Sequence, residues 1–96
     1  MIGSFADKAT EDLFHGRVSV RVRKFPLGVQ RAALLKLDML NAAYSLLDLK
    51  SPPGNRLETI KGDLKGNHSI RINEQWRLVF RYENANAYDV QIIDYH

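Results

Sequence analysis

The second half of the chain carries side chains suited to handling a phosphodiester. They are the ammoniums of Lys61 and Lys65, the guanidiniums of Arg71 and Arg77, the phenol ring of Tyr95 and the imidazole of His96. Arginine offers a rigid fork of donors that fits phosphate oxygens and stays charged at any accessible pH, and lysine adds a compact point charge. Imidazole is the side chain best matched to giving or taking a proton near pH 7, and here it sits one residue from the tyrosine. Gly62 and Gly66, interleaved with Lys61 and Lys65, would let backbone approach a ligand closely. Other chemistries lack their residues. There is no cysteine, so no disulfide, thiolate zinc site or thiol nucleophile is available. His15, His68 and His96 are scattered without carboxylate spacing, so no metal and no cofactor is expected. No P-loop, GxGxxG, nucleophile elbow or paired-acid signature occurs.

Whether these groups meet depends on strand register. From Ser69 to Tyr82 the apolar residues Ile70, Ile72, Trp76, Leu78, Phe80 and Tyr82 share one parity, and Arg71, Asn73, Arg77 and Arg81 the other. Cross-strand partners lie on one face, so a hairpin that keeps the apolar set together needs an odd-length loop. A three-residue loop at Asn73-Glu74-Gln75 pairs Ile72 with Trp76, Arg71 with Arg77 and Ile70 with Leu78. A second such loop at Asn84-Ala85-Asn86 pairs Tyr82 with Tyr88, Phe80 with Val90, Leu78 with Ile92, Arg81 with Asp89 and Arg77 with Ile93, placing Tyr95 one same-face step further. Arg71, Arg77 and Tyr95 then converge on the open side of a meander. Like charges directly opposite repel by roughly 0.2 to 1 kcal/mol, an arrangement that a bound phosphate would relieve. The plainer readings are that the arginine stems cover apolar surface with their heads in water, that Lys-Gly-Asp is an ordinary turn, and that a terminal histidine frays.

The remaining elements must carry that meander. Ninety-six residues at 11.0 kDa suit a single domain spanning residues 1–96, and 45% apolar residues suffice for a small core. Met1 to Ala6 reads as an edge strand. Asp7 to Gly16 reads as a short helix, with Asp7 as N-cap and Gly16 as stop. In SVRVRKFP the alternation of valine and arginine predicts a strand ended by Pro26. The leucine spacing from Leu27 to Leu47 predicts a long amphipathic helix, closed by Ser51-Pro52-Pro53-Gly54-Asn55. The expected fold is α+β, with two N-terminal helices packed on one face of an antiparallel β-sheet. Net charge is only +3, but no acid lies between Asp12 and Asp38. That distribution fits a polyanion partner or a solvated charged surface equally. The N-terminus has no basic leader and no run approaches a membrane span, so a cytoplasmic protein with no membrane partner is expected.

The runs LETIKGDLKGNHSIRINEQWRLVFRY and AYDVQIIDYH, with the opening MIGSFADK, resemble the HigB branch of the RelE/ParE toxin superfamily. Its most specific parts are I-K-G-D, S-I-R-I-N-x-Q-W-R and the closing D-Y-H. The resemblance implies a compact RelE-like α+β domain and a ribosome-dependent mRNA endoribonuclease that acts on mRNA in the ribosomal A site. It also implies neutralisation by a HigA-like helix-turn-helix antitoxin, with operator DNA reached only through that antitoxin. Carried over by position, the catalytic set falls on Lys61, Arg77, Tyr95 and His96, with Arg71 a frequent companion; Glu58, Lys65 and Asn73 are expected to bind substrate beside them. In the implied reaction the ribose 2′-hydroxyl attacks the adjacent phosphorus and leaves a cyclic phosphate. Arg77 and Lys61 would stabilise the added charge, Tyr95 would orient the nucleotide and His96 would serve in proton transfer. The chain departs from the family pattern at Glu58, where many relatives carry histidine, and at Asn73, where some carry arginine. Glu58 could act as a base if its pKa were raised, or could pair with Lys61. Two other classes remain in view: a ParE-like poison of DNA gyrase, and a catalytically weak member acting mainly as an antitoxin-bound operon co-repressor.

Overall fold

The computed structural model describes residues 1–61 and 66–95. Two helices, α1 (Lys8–Phe14) and α2 (Leu27–Ala42), pack on a sheet of β1 (Glu58–Thr59), β2 (Asn67–Arg71), β3 (Trp76–Glu83) and β4 (Asn86–Asp94). The four strands are antiparallel neighbours in chain order. This is the expected α+β arrangement. Among the described residues, no helix is long and apolar enough to cross a membrane.

Helix α1 starts where Asp7, in extended conformation, accepts the N–H of Thr10 at 2.7 Å, and it stops before Gly16 at φ +69°. Its buried Thr10 hydroxyl accepts the N–H of Ile92 at 3.1 Å, which seats the helix on β4. The run Met1 to Ala6 lies along the outer edge of β4 in parallel, bonded through Gly3 N–H to Ala87 O at 2.7 Å and Ala6 N–H to Val90 O at 2.9 Å. It is the expected edge element, reduced to two bridges. Gly3 is needed there because a Cβ would meet the Tyr88 ring at 2.6 Å.

Helix α2 buries Ala33, Leu37 and Leu40 in one core with Ile70, Leu78, Phe80 and Val90 from the sheet. Each such leucine contributes roughly 1.5 to 3 kcal/mol by leaving water. The helix is shorter than its leucine spacing predicts, ending at Ala42 instead of Leu47. The reason is local. The Asp48 carboxylate accepts the N–H groups of Tyr44 at 2.8 Å and Ser45 at 3.2 Å, which starts a separate 3₁₀ turn over Leu46–Lys50. That turn returns Leu49 to the core and leaves Tyr44 89% exposed.

The predicted strand in SVRVRKFP is absent. Val22–Lys24 form a 3₁₀ turn, Val22 and Phe25 are buried, and Val18 stands 96% exposed. Asp12 overrides the alternation: its carboxylate draws in the guanidiniums of Arg17 and Arg21, each at 3.5 Å, and its carbonyl accepts the Arg17 N–H at 2.9 Å. Gln30 then donates to the carbonyls of Val22 at 3.3 Å and Phe25 at 2.8 Å, using acceptors that a strand would have offered to a neighbour.

The first hairpin has the expected register, Arg71 opposite Arg77 and Ile70 opposite Leu78. The second reaches its expected far end, Leu78 opposite Ile92 and Arg77 opposite Ile93, by a different route. Its turn is two residues long, not three. Asn84 and Ala85 take φ of +50° and +63°, the paired left-handed conformation of a type I′ turn, so Tyr82 faces Ala87 and Arg81 faces Tyr88. A bulge then inserts one residue into β4 opposite Phe80, with Asp89 at φ +53° and its N–H bonded to Ser4 Oγ at 2.9 Å.

Two outcomes follow. Left-handed backbone costs a residue with a Cβ roughly 1 to 2 kcal/mol, partly offset by the entropy glycine loses on folding, so Ala85→Gly should stabilise the protein by about 0.5 to 1 kcal/mol in urea denaturation; a lower midpoint would contradict the turn. The Ser19 hydroxyl and then the Arg17 and Arg21 guanidiniums hold the Asp12 carboxyl below its ordinary 3.8. A lowered folded-state pKa contributes stability that is fully present above the unfolded-state value and lost as pH falls through the folded one. The stability gap between the native chain and Asp12→Asn should therefore close as pH drops below about 4, and a gap unchanged down to pH 2 would refute the ion cluster.

Candidate active site

Arg77 is the centre of the open face. Its side chain points away from the α2 core yet is 8% exposed, so its donors must be matched inside the protein. Nε donates to Ser69 Oγ at 2.9 Å, and Nη2 donates to Arg56 O at 2.6 Å and, more weakly, to Ser69 O at 3.5 Å. Glu58 Oε2 stands 3.9 Å from the same Nη2. Tyr95 covers the group from the side, with its ring centre 5.6 Å from Arg77 Cζ.

Each contact has a local cause. Ser69 shares the parity of Arg71 and Arg77, and the pairing of Ile70 with Leu78 brings its hydroxyl diagonally beneath the Arg77 stem. Arg56 offers its carbonyl because it adopts the left-handed conformation at φ +45°, just after the 3₁₀ turn Pro53–Asn55. Asn55 anchors that turn: it is buried, donates to Leu49 O at 3.1 Å and accepts from Lys36 Nζ. Burial lowers the pKa of Lys36. Tyr95 is placed by the ladder, its N–H bonding Gln75 O at 2.7 Å beyond the end of β4.

The result is a cleft of about 390 Å³ lined by Arg56, Glu58, Arg71 and Asn73, together with Glu74, Arg77 and Tyr95. Three guanidiniums face two carboxylates, so one positive charge remains uncompensated among these groups. The opposed arginines are held apart in charge by acids, Glu74 at 4.0 Å from Arg71 and Glu58 at 3.9 Å from Arg77. Tyr95 is half exposed at the rim, available to stack on a planar ligand. The arrangement can hold an anion flanked by an aromatic group.

Of the residues singled out in the sequence, Glu58, Arg71, Asn73, Arg77 and Tyr95 are brought together here. Lys61 is exposed just beyond β1 and is not among the lining residues. Lys65 and His96 lie outside the described residues, as does most of the Lys-Gly-Asp run. Glu58 pairs with Arg77, whereas the sequence suggested Lys61 as its partner. Asn73 lines the cleft, but its Oδ1 is spent on the turn, accepting the N–H groups of Gln75 and Trp76, both at 2.8 Å.

Sequence reading missed Ser69, Glu74 and Arg56. Register alone could have placed Ser69, since it lies on the arginine face of the same hairpin. Glu74 sits in the predicted loop three residues from Arg71. Nothing in the strand pattern pointed to Arg56, whose place depends on the fold of the segment before β1.

Residues 3–96 match the family model described as the RelE-like toxin of the type II toxin-antitoxin system HigB. The chain is 41% identical to Toxin HigB-1 of Vibrio cholerae over 83 residues, covering 86% of this chain and 85% of that protein. It is 28% identical to Endoribonuclease HigB of Proteus vulgaris over the full length of both. Among solved structures, the YoeB-YefM complex from Staphylococcus aureus superposes with a TM-score of 0.61 at 14% identity, covering 100% of this chain and 98% of that one, a likeness of fold. The α+β architecture and the match across nearly the whole chain have one reading: this protein belongs to the HigB-like family of RelE-like toxins of type II toxin-antitoxin systems.

Proposed function

We propose that the chain is a single toxin domain, residues 1–96, that acts in the cytoplasm as an endoribonuclease cleaving mRNA in the ribosomal A site. The observation that carries this reading is the meeting of Arg71, Arg77 and Tyr95 in one basic cleft. The full-length likeness to a protein named Endoribonuclease HigB supports it. A phosphodiester entering the cleft displaces Glu58 from Arg77 and Glu74 from Arg71. The 2′-hydroxyl oxygen attacks phosphorus, the bond from phosphorus to O5′ breaks, and the products are a 2′,3′-cyclic phosphate and a 5′-hydroxyl. Glu58, released from its pair, accepts the 2′-hydroxyl proton, and the imidazolium of His96 supplies the proton that O5′ takes up. Arg77, with Lys61, stabilises the charge that builds on the phosphorane, while Arg71 and Lys65 grip the phosphate and Tyr95 stacks on the base. Asn73 acts through the turn that it closes. Alignment of the substrate comes from the ribosome, which explains how a shallow cleft suffices. The partner that silences the toxin is a HigA-like helix-turn-helix antitoxin, through which alone operator DNA is reached.

Primer extension on cellular mRNA after brief induction should show cuts within translated codons. A donor aimed at developing charge is worth about 10²- to 10³-fold, so Arg77→Ala should reduce cutting by that factor, and His96→Gln should impair it as well. Growth arrest with DNA damage and intact mRNA would overturn the nuclease reading in favour of gyrase poisoning. Purified protein should cut free RNA poorly, and efficient cleavage without ribosomes would remove the ribosome from the scheme.

A further inference from the structure

A guanidinium has three nitrogens, and a phosphate is usually gripped along a side that offers two parallel donors. In Arg77 that option is already spent. Nε is committed to Ser69 Oγ at 2.9 Å, and Nη2 to Arg56 O at 2.6 Å with Ser69 O behind it at 3.5 Å. Among the described residues, every hydrogen bond of the group leaves from these two nitrogens, so Nη1 is the donor left for a ligand. The Tyr95 ring limits the remaining freedom of the plane. A flexible surface arginine would have to be ordered by its substrate; this one is ordered before the substrate arrives.

We infer that Ser69 is a positioning residue for Arg77: its hydroxyl, working with the Arg56 carbonyl, locks the Nε and Nη2 side of the guanidinium so that Nη1 is turned toward the scissile phosphate. The inference rests on the proposed reading of the cleft and goes beyond it by assigning a role to a residue that touches no substrate. Three features carry it. Ser69 is completely buried, so its hydroxyl has no water to bond and is held for the arginine. The Arg56 carbonyl is aimed by a left-handed residue, a conformation disfavoured for any side chain but glycine unless the surroundings hold it. The two acceptors come from separate segments, β2 and the chain before β1, and grip adjacent nitrogens of one group. The inference also alters what Arg77 can be replaced by. Lysine keeps the charge but cannot reach both acceptors while presenting a further donor in a fixed direction.

The test uses Ser69→Ala and Ser69→Thr beside the native chain, with two independent readouts. In ¹⁵N-edited NMR, the Nε–H of Arg77, assigned by its disappearance in Arg77→Lys, should be resolved and slow to exchange with solvent. Ser69→Ala should lose that protection and Ser69→Thr should restore it. In ribosome-programmed cleavage, Ser69→Ala should lower the saturated rate by about 10²-fold with little change in the half-saturating concentration, and Ser69→Thr should stay within a few-fold of native. Protection and rate both unchanged in Ser69→Ala would refute the inference. So would lost protection with an unchanged rate, because the clamp would then be structural only. If Ser69→Ala does not fold, Ser69→Cys, similar in size with a weaker acceptor, takes its place. Cleavage that survives Arg77→Lys and Arg77→Ala undiminished would instead fault the catalytic reading of the cleft, and the NMR result would still decide whether the clamp exists.

Discussion

One buried guanidinium sets terms that much of the fold must meet. Removing a charge from water is costly unless hydrogen bonds replace its hydration, and Arg77 lies almost wholly inside the protein. The replacements come from segments far apart in the chain: Ser69 on β2 and the carbonyl of Arg56 before β1, with Glu58 on β1 lying near. For these to meet, β2 must pair with β3 in one register, and the chain between α2 and β1 must bend to aim a carbonyl inward. Asn55 enforces that bend from beneath, tied to Leu49 on one side and Lys36 of α2 on the other. The α2 core and the open face are thus joined through one asparagine.

The second hairpin shows how a sheet reconciles a tight turn with a required pairing. A two-residue turn at Asn84-Ala85 left uncorrected would shift the apolar residues of β4 to the open face. The bulge at Asp89 adds back one residue, and beyond it Ile92 and Val90 face the core while Ile93 and Tyr95 follow the arginine face. Ser4 holds the bulge and the N-terminal run holds the edge of β4, so residues at the start of the chain help to place the aromatic ring at its end. Bulges re-aim side chains near functional sites, and this one is part of why the cleft has a wall.

The charges of the cleft largely answer one another. Arg71 and Arg77 each keep a carboxylate at about ion-pair distance, which tempers the repulsion that their direct opposition creates. Both acids are solvent-exposed, Glu74 almost fully, so these pairs are weakly held and can yield to a more highly charged anion. The fold itself is shared with a solved structure only 14% identical to this chain, and a fold alone does not fix what its open face does.

Alternation of side chains was legible wherever one face of a strand is buried. It correctly gave the Arg71 and Arg77 pairing, the far register of β4 and the place of Tyr95, because a slip of one residue would expose the whole apolar set. Helix α1 was legible from its cap and stop, since those bonds lie within a few residues of each other. The same period misled at Val18 to Val22, where a single buried carboxylate outweighed the pattern, and at the end of α2, where Asp48 offered the backbone a nearer partner. Arg56 and the commitment of two Arg77 nitrogens belong to tertiary structure alone. Periodicity records which side of an element faces the core, but the direction of one carbonyl depends on how distant segments close around a charge that cannot remain unbonded.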